Sequence, residues 1–232
     1  MTIAEAAMSE NPGIAQQVPS SMTVPRHLVL CPAALIDNWV DELKMWIPPH
    51  TRILGPIYPI TARVPDADRV ATIKKWFETK GILILSYDMF RALVKPKTSS
   101  RKSSAESDVD EIDLDPMERT EIRRKLLTGP SIVVADEAHK IKNKKSVVGA
   151  LVHDFSTKSR IALTGSPLAN SLQDYYAMID WISPGYLGDE KEFRAKYKEP
   201  IEAGVHADST RYEQRRSLKK LKALKAEIEP KV

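Results

Sequence analysis

SIVVADEAHKIKN, residues 131–143, runs an apolar segment straight into two adjacent carboxylates and then a lysine-rich turn. The apolar run Ile132 to Ala135 reads as a buried strand of a parallel sheet. Asp136 and Glu137 at its carboxyl end are costly unless something charged meets them. In open parallel α/β sheets, ligands bind at that edge. A magnesium-phosphate group is one ligand that accounts for both acids, because magnesium prefers hard oxygen donors.

Working outward, the same pattern repeats. HLVLC (27–31), ILILS (82–86) and RIALT (160–164) read as further strands, and RILGPIY (52–58) as a weaker one. Pro32 opens a helix with Leu35, Trp39, Leu43 and Trp46 on one face, ended by Pro48-Pro49. Val70, Ile73 and Phe77 mark a second helix that stops at Gly81. Thr2 to Met8, Pro116 to Leu127 and Lys145 to Phe155 also read as helical. Leu172, Tyr175, Ile179 and Ile182 form one face of a helix stopped by Pro184-Gly185. Alternation of strand and helix predicts an α/β fold. The strands at 28–31, 82–86, 132–135 and 161–164 are expected in one mainly parallel sheet with helices on both faces.

Two segments depart from that pattern. Lys95 to Asp115 carries prolines, serines, a basic block and an acidic block, and residues 97–115 read as a disordered insertion. RYEQRRSLKKLKALKAEIEP (211–230) places Leu218, Leu221, Leu224 and Ile228 on an amphipathic helix with a basic outer face. A solvated helix face and a nucleic-acid patch both fit it. The net charge of +4 permits nucleic-acid binding without requiring it. The single cysteine, Cys31, excludes an intrachain disulfide framework and a cysteine metal cluster, and fits a reducing compartment. No segment has the length and apolarity of a membrane span, and the first residues lack the basic-then-apolar order of a signal peptide.

VVADEAHKIKN (133–143) resembles the Walker B segment of the DEAH type in helicase superfamily two. It is most similar to that of the Swi/Snf-type DNA-dependent ATPases, where Lys140-Ile141-Lys142-Asn143 matches the residues after the acidic box. Other blocks follow the family's order. LVLCPAALIDNWVDELKMW (28–46) resembles motif Ia, ILILSYDMFR (82–91) motif Ib, and RIALTGSPLANSLQDYYAMIDWISPGYLG (160–188) motif III with its following helix. EFRAKYKEPIEAG (192–204) resembles the aromatic-rich turn that trails this lobe. Ser166 stands where most members have threonine, and keeps the hydroxyl.

The resemblance implies a RecA-like lobe of the P-loop NTPase type, using ATP with magnesium on duplex DNA and nucleosomes in the nucleus. Asp136 would hold the magnesium, directly or through water, and Glu137 would activate the attacking water. His139 and the motif III residues Thr164, Gly165 and Ser166 would couple the nucleotide and DNA sites. Without that resemblance, His139 reads first as a helix-start residue in a structural hydrogen bond, and the resemblance reverses that preference. Pro32, Ala33, Ser86 and Tyr87 would meet the DNA backbone, contacts that carry no sequence information. Trp39 and Trp46 read as core residues rather than stacking platforms. No G-x-x-x-x-G-K-[ST] occurs among the 232 residues. The expected organisation is a remnant helix and loop (1–27) following a missing phosphate loop, a partial ATP-binding lobe (28–188), and a helical extension (189–232) toward a missing second lobe. The chain alone is then expected to be inactive. Two other functions remain open: a non-catalytic DNA- or chromatin-binding module on the same fold, and an unrelated α/β hydrolytic enzyme.

Overall fold

A computed structural model describes residues 11–19, 22–47, 54–95, 112, 114–141, 146–165 and 171–231. The described strands are β1 (Arg26–Cys31), β2 (Ile57–Ile60), β3 (Gly81–Ser86), β4 (Ile132–Ala135) and β5 (Arg160–Ala162). They form one all-parallel sheet in the order β2-β3-β1-β4-β5. The four strands expected from the apolar runs therefore share one sheet, as a RecA-like lobe requires.

Both faces of the central strands are buried, which explains their unbroken apolar runs. Val29, Cys31, Ile82 and Ile84 point to one face and pack with Leu35, Trp39, Val40 and Leu43 at and within helix α1 (Ile36–Trp46). Leu28, Leu30, Leu83 and Leu85 alternate to the other face and are fully buried. Helices α2 (Asp66–Thr79), α3 (Tyr87–Val94), α4 (Pro116–Thr128) and α5 (Val147–His153) cover that side, with α4 against both α2 and α3. Trp76, Phe90 and Ile73 have no exposed surface there. Burying side chains of this size contributes roughly 1.5–3 kcal/mol each.

Local chemistry sets the boundaries. The Oγ of Ser86 accepts from Met89 N at 3.1 Å and caps α3, while the carboxylate of Asp115 accepts from Met117 N and Glu118 N at 2.9 Å and caps α4. Strand β2 begins later than the 52–58 run suggested, after Gly55-Pro56. Gly55 has φ +71, and a Cβ there would lie 2.9 Å from the Cα of Gly81. The chain must turn and cross Gly81 before it can pair. Pro59 is tolerated because β2 is an edge strand. Strand β5 pairs only with β4 among the described residues, so Ile161 and Leu163 are 47% and 40% exposed. It is an edge strand, not the buried one its composition suggested.

Two further expectations are corrected. Trp46 lies outside the core at 71% exposure, its indole N–H donating to Glu42 Oε2 at 2.8 Å. The expected insertion is not disordered to its end, because Ile112 and Leu114 are buried. The buried guanidinium of Arg119 donates to the carbonyls of Ala92 (3.1 Å), Lys95 (3.3 Å) and Ile112 (2.6 Å), joining the two flanks of that segment. A composition averaged over 97–115 hides these two apolar anchors; residues 97–111 and 113 lie outside the described residues, as do 2–8.

The chain divides into two compact units after Gly165. The second holds α6 (Leu172–Ile182), α7 (Glu190–Phe193), a π turn (Arg194–Lys198), α8 (Glu199–Glu202) and α9 (Arg211–Ile228). Helix α6 belongs to this unit through Tyr176, whose hydroxyl donates to Gly188 O at 3.0 Å and whose ring lies 4.7 Å from that of Phe193. The segment at 192–204, expected as a turn, is largely helical. Asp189 and Glu192 form a capping box at its start, and Phe193 and Tyr197 are buried along it. Pro200 has no N–H to return to Lys196 and its ring crowds that carbonyl, which accounts for the π turn. On α9 the buried residues are Ser217, Leu224 and Ile228, while Leu218 and Leu221 stay exposed.

Candidate functional site

Parallel pairing decides which residues meet. Leu30 is opposite Ala135, Cys31 opposite Ser86, and Ala135 opposite Ala162. The residues just beyond these strand ends, Pro32, Tyr87, Asp136 and Leu163-Thr164, therefore emerge at one carboxyl edge. Leu163 N donates to Ala135 O at 2.8 Å, and Leu163 O accepts from Ala138 N at 2.9 Å. The start of motif III is thus tied to the turn that carries Asp136 and Glu137. Gly165 is exposed at the same edge, with nothing within 4 Å of a built Cβ, and Ser166 lies outside the described residues.

Asp136 is held at four atoms. Its N–H donates to Leu30 O at 2.8 Å, and its carbonyl accepts from the Tyr87 hydroxyl at 2.7 Å. Oδ1 accepts from Glu137 N at 2.8 Å, and Oδ2 accepts from the indole N–H of Trp39 at 2.9 Å. Glu137 adopts φ +51, a left-handed conformation that turns the chain sharply after the strand. Its side chain remains 39% exposed, and Oε2 lies 3.2 Å from Nδ1 of His139. For that pair to be a hydrogen bond to an ionised carboxylate, Nδ1 must carry the proton.

The DNA-backbone candidates separate. Ala33 is exposed and Pro32 half-buried, ahead of a 3-10 turn (Ala33–Leu35) that runs into α1. Ser86 and Tyr87 are buried instead. Both hydroxyls are engaged, Ser86 as the cap of α3 and Tyr87 as a support for Asp136, so the expected hydroxyl-to-phosphate contact is not presented in this conformation. Burial, reinforced by the charge of Asp136, holds the Tyr87 phenol well above its ordinary value. Burial likewise pushes the Cys31 thiol up to about 12, with Asp136 adding to the shift and Lys140 opposing it. Cys31 is thus an inert core residue.

Trp39 was legible only as a core residue. It is half-buried against the sheet, and its indole N–H turns to the acidic edge. The position seven residues after Pro32 carried an apolar signal but no sign of a polar partner. Beside it, Leu35, Asn38, Trp39, Glu42 and Asp136 line an open cavity of about 210 Å³.

The donor set fits magnesium in part. Asp136 and Glu137 offer hard oxygens, and Oδ1 and Oδ2 each keep acceptor capacity beside their present bonds. Among the described residues no group of three or more His, Cys, Asp or Glu could hold a metal ion. A cation here would complete its shell with water and phosphate oxygens, as magnesium commonly does. Among the described residues no helix is long and apolar enough to cross a membrane.

Comparison with known proteins bears on the family and the fold. Residues 5–229 match the model of the SNF2-related domain. The chain is 33% identical over 187 residues to the "Transcriptional regulator ATRX homolog" of Drosophila melanogaster, covering 81% of this chain and 13% of that protein. It is 30% identical over 206 residues to human "Helicase ARIP4", covering 79% of this chain and 14% of that protein. The chain thus spans about one seventh of the length of these relatives. The fold resembles the "Sulfolobus solfataricus SWI2/SNF2 ATPase core in complex with dsDNA", with a TM-score of 0.56, 22% identity, and coverage of 91% of this chain and 36% of that one. With residues 5–229 of its 232 matched by the family model, this chain belongs to the SNF2-related domain family.

Proposed function

We propose that this chain contributes the magnesium- and DNA-facing edge of an ATP-dependent DNA translocase that acts on duplex DNA and nucleosomes in the nucleus. The observation that carries the reading is the placement of Asp136 and Glu137 at one sheet edge with Pro32 and Thr164. Asp136 would hold the cation through its carboxylate, directly or through water. Glu137 keeps Oε1 free of the His139 contact, so that oxygen can accept a proton from the attacking water. His139 and the Thr164-Gly165-Ser166 segment would couple the nucleotide and DNA sites. Pro32 and Ala33 offer the start of α1 to a phosphate, as suits a sequence-independent contact. Magnesium, when bound with ATP, neutralises charge on the phosphate oxygens.

The 232 residues contain no G-x-x-x-x-G-K-[ST], so the chain by itself is expected to show no DNA-stimulated ATP hydrolysis. In a polypeptide that joins it to a phosphate loop and a second lobe, turnover should appear. There, Glu137→Gln should abolish hydrolysis while sparing ATP binding, since the amide keeps the shape but cannot take the proton. Turnover untouched by Glu137→Gln would overturn the assignment. A joined protein that binds DNA but never hydrolyses ATP would favour a non-catalytic binding module.

A further inference from the structure

We infer that Trp39 is a positioning residue for the cation ligand Asp136: its indole N–H fixes the carboxylate rotamer that meets the metal. The inference rests on the magnesium reading above and adds to it a residue on a different element. The backbone of Asp136 is already fixed at N–H and C=O by Leu30 and Tyr87. What remains free is rotation of the side chain. Glu137 N takes Oδ1 at 2.8 Å, and Trp39 Nε1 takes Oδ2 at 2.9 Å, across 97 residues of sequence. With both oxygens tethered, the carboxylate plane has one orientation. The bond is charge-assisted, and an indole N–H donates only, so it cannot itself compete as a ligand for the cation. The neighbouring cavity of about 210 Å³ leaves the outer side of the carboxylate accessible. Helix α1 follows directly on Pro32 and Ala33, so the orientation of the metal ligand is set by the element proposed to face DNA.

The test uses the 232-residue chain and manganese(II) as a paramagnetic stand-in for magnesium. First, the Trp39 indole proton resonance is recorded in the wild type and in Asp136→Asn. Loss of the charged acceptor should move it upfield; an unchanged shift means that the bond is absent in solution and overturns the proposal. Second, broadening of the Glu137 and Ala138 amide signals is followed against manganese concentration in the wild type and in Trp39→Phe, which keeps an aromatic ring and removes the N–H. Loss of a partner that orients a metal ligand costs about tenfold or more in metal affinity, so Trp39→Phe should need that much more manganese for equal broadening. Equal dependence in the two proteins, or tighter binding in the variant, overturns the positioning role while leaving the metal site standing. Absence of selective broadening in the wild type removes the metal site, and the positioning role with it.

Discussion

Glu137 at φ +51 holds a backbone conformation that costs an L residue on the order of 1 kcal/mol or more. The bond from its N–H to Asp136 Oδ1 offsets part of that cost and fixes the turn. Glycine adopts this conformation freely, so Glu137→Gly should be at least as stable as the wild type and up to about 1 kcal/mol more stable, whereas Glu137→Ala keeps the strain. Urea denaturation of the three proteins checks this; a clear loss of stability in the glycine variant would contradict it. The acid pair itself was legible, because two carboxylates after an apolar run have few other uses. The turn was not, because nothing in the residue type of Glu137 announces a left-handed conformation. The two tryptophans of α1 carry the same lesson. Periodicity put Trp39 and Trp46 on one face, yet at the far end of the helix it is Leu43 and Ile47, not Trp46, that pack against the sheet. Trp39 reaches Asp136 and Trp46 is left in solvent.

Among the elements, β2 and β3 are joined at a crossing where no side chain fits. Gly81 has φ +113, and a Cβ there would stand 2.2 Å from Pro56 O. The obstacle is backbone, so it cannot swing aside. Gly81→Ala should cost at least about 3 kcal/mol, combining a forced close contact with a conformation that only glycine adopts easily. A shift in the denaturation midpoint small enough to imply less than about 1 kcal/mol would show that the crossing relaxes. The strands were legible because β1, β3 and β4 are apolar on both faces and so stand out from everything around them. The start of β2 was not, since its register is set by the crossing with Gly81 and not by its own composition. Arg119 belongs at the same scale. One buried guanidinium satisfies three carbonyls at the ends of α3 and before α4, and it anchors a flank that composition alone assigned to disorder.

At the scale of the whole molecule, stability should depend on pH through His27. This residue pairs with Ile82 and Ile132 in the sheet, and burial lowers its imidazole from 6.5 to about 4. The unfolded chain takes up that proton near pH 6.5, and the folded chain only near 4. Between those values the unfolded state binds more protons, so the contribution is fully present above 6.5 and is lost as pH falls toward 4. The loss on going from pH 7.5 to 4.5 should be about 2 kcal/mol. It should shrink in His27→Leu, as measured by denaturant unfolding at the two pH values; an equal loss in the variant would assign the effect to other groups.

The sequence by itself determined the parallel α/β class, the strands that form the sheet centre, and the edge at which Asp136 and Glu137 stand. Each follows from local and periodic signals: apolar runs are buried on both faces, and charged residues at a strand end must face a ligand or water. Only the tertiary structure decided that Tyr87 supports Asp136 from within, that Trp39 binds its carboxylate, that α6 packs with the C-terminal unit, and that Leu218 and Leu221 remain outside. Those outcomes depend on which elements come to lie against one another. A hydroxyl, an indole N–H or a leucine carries the same local signal whatever faces it, and its role is fixed by a partner distant in the chain.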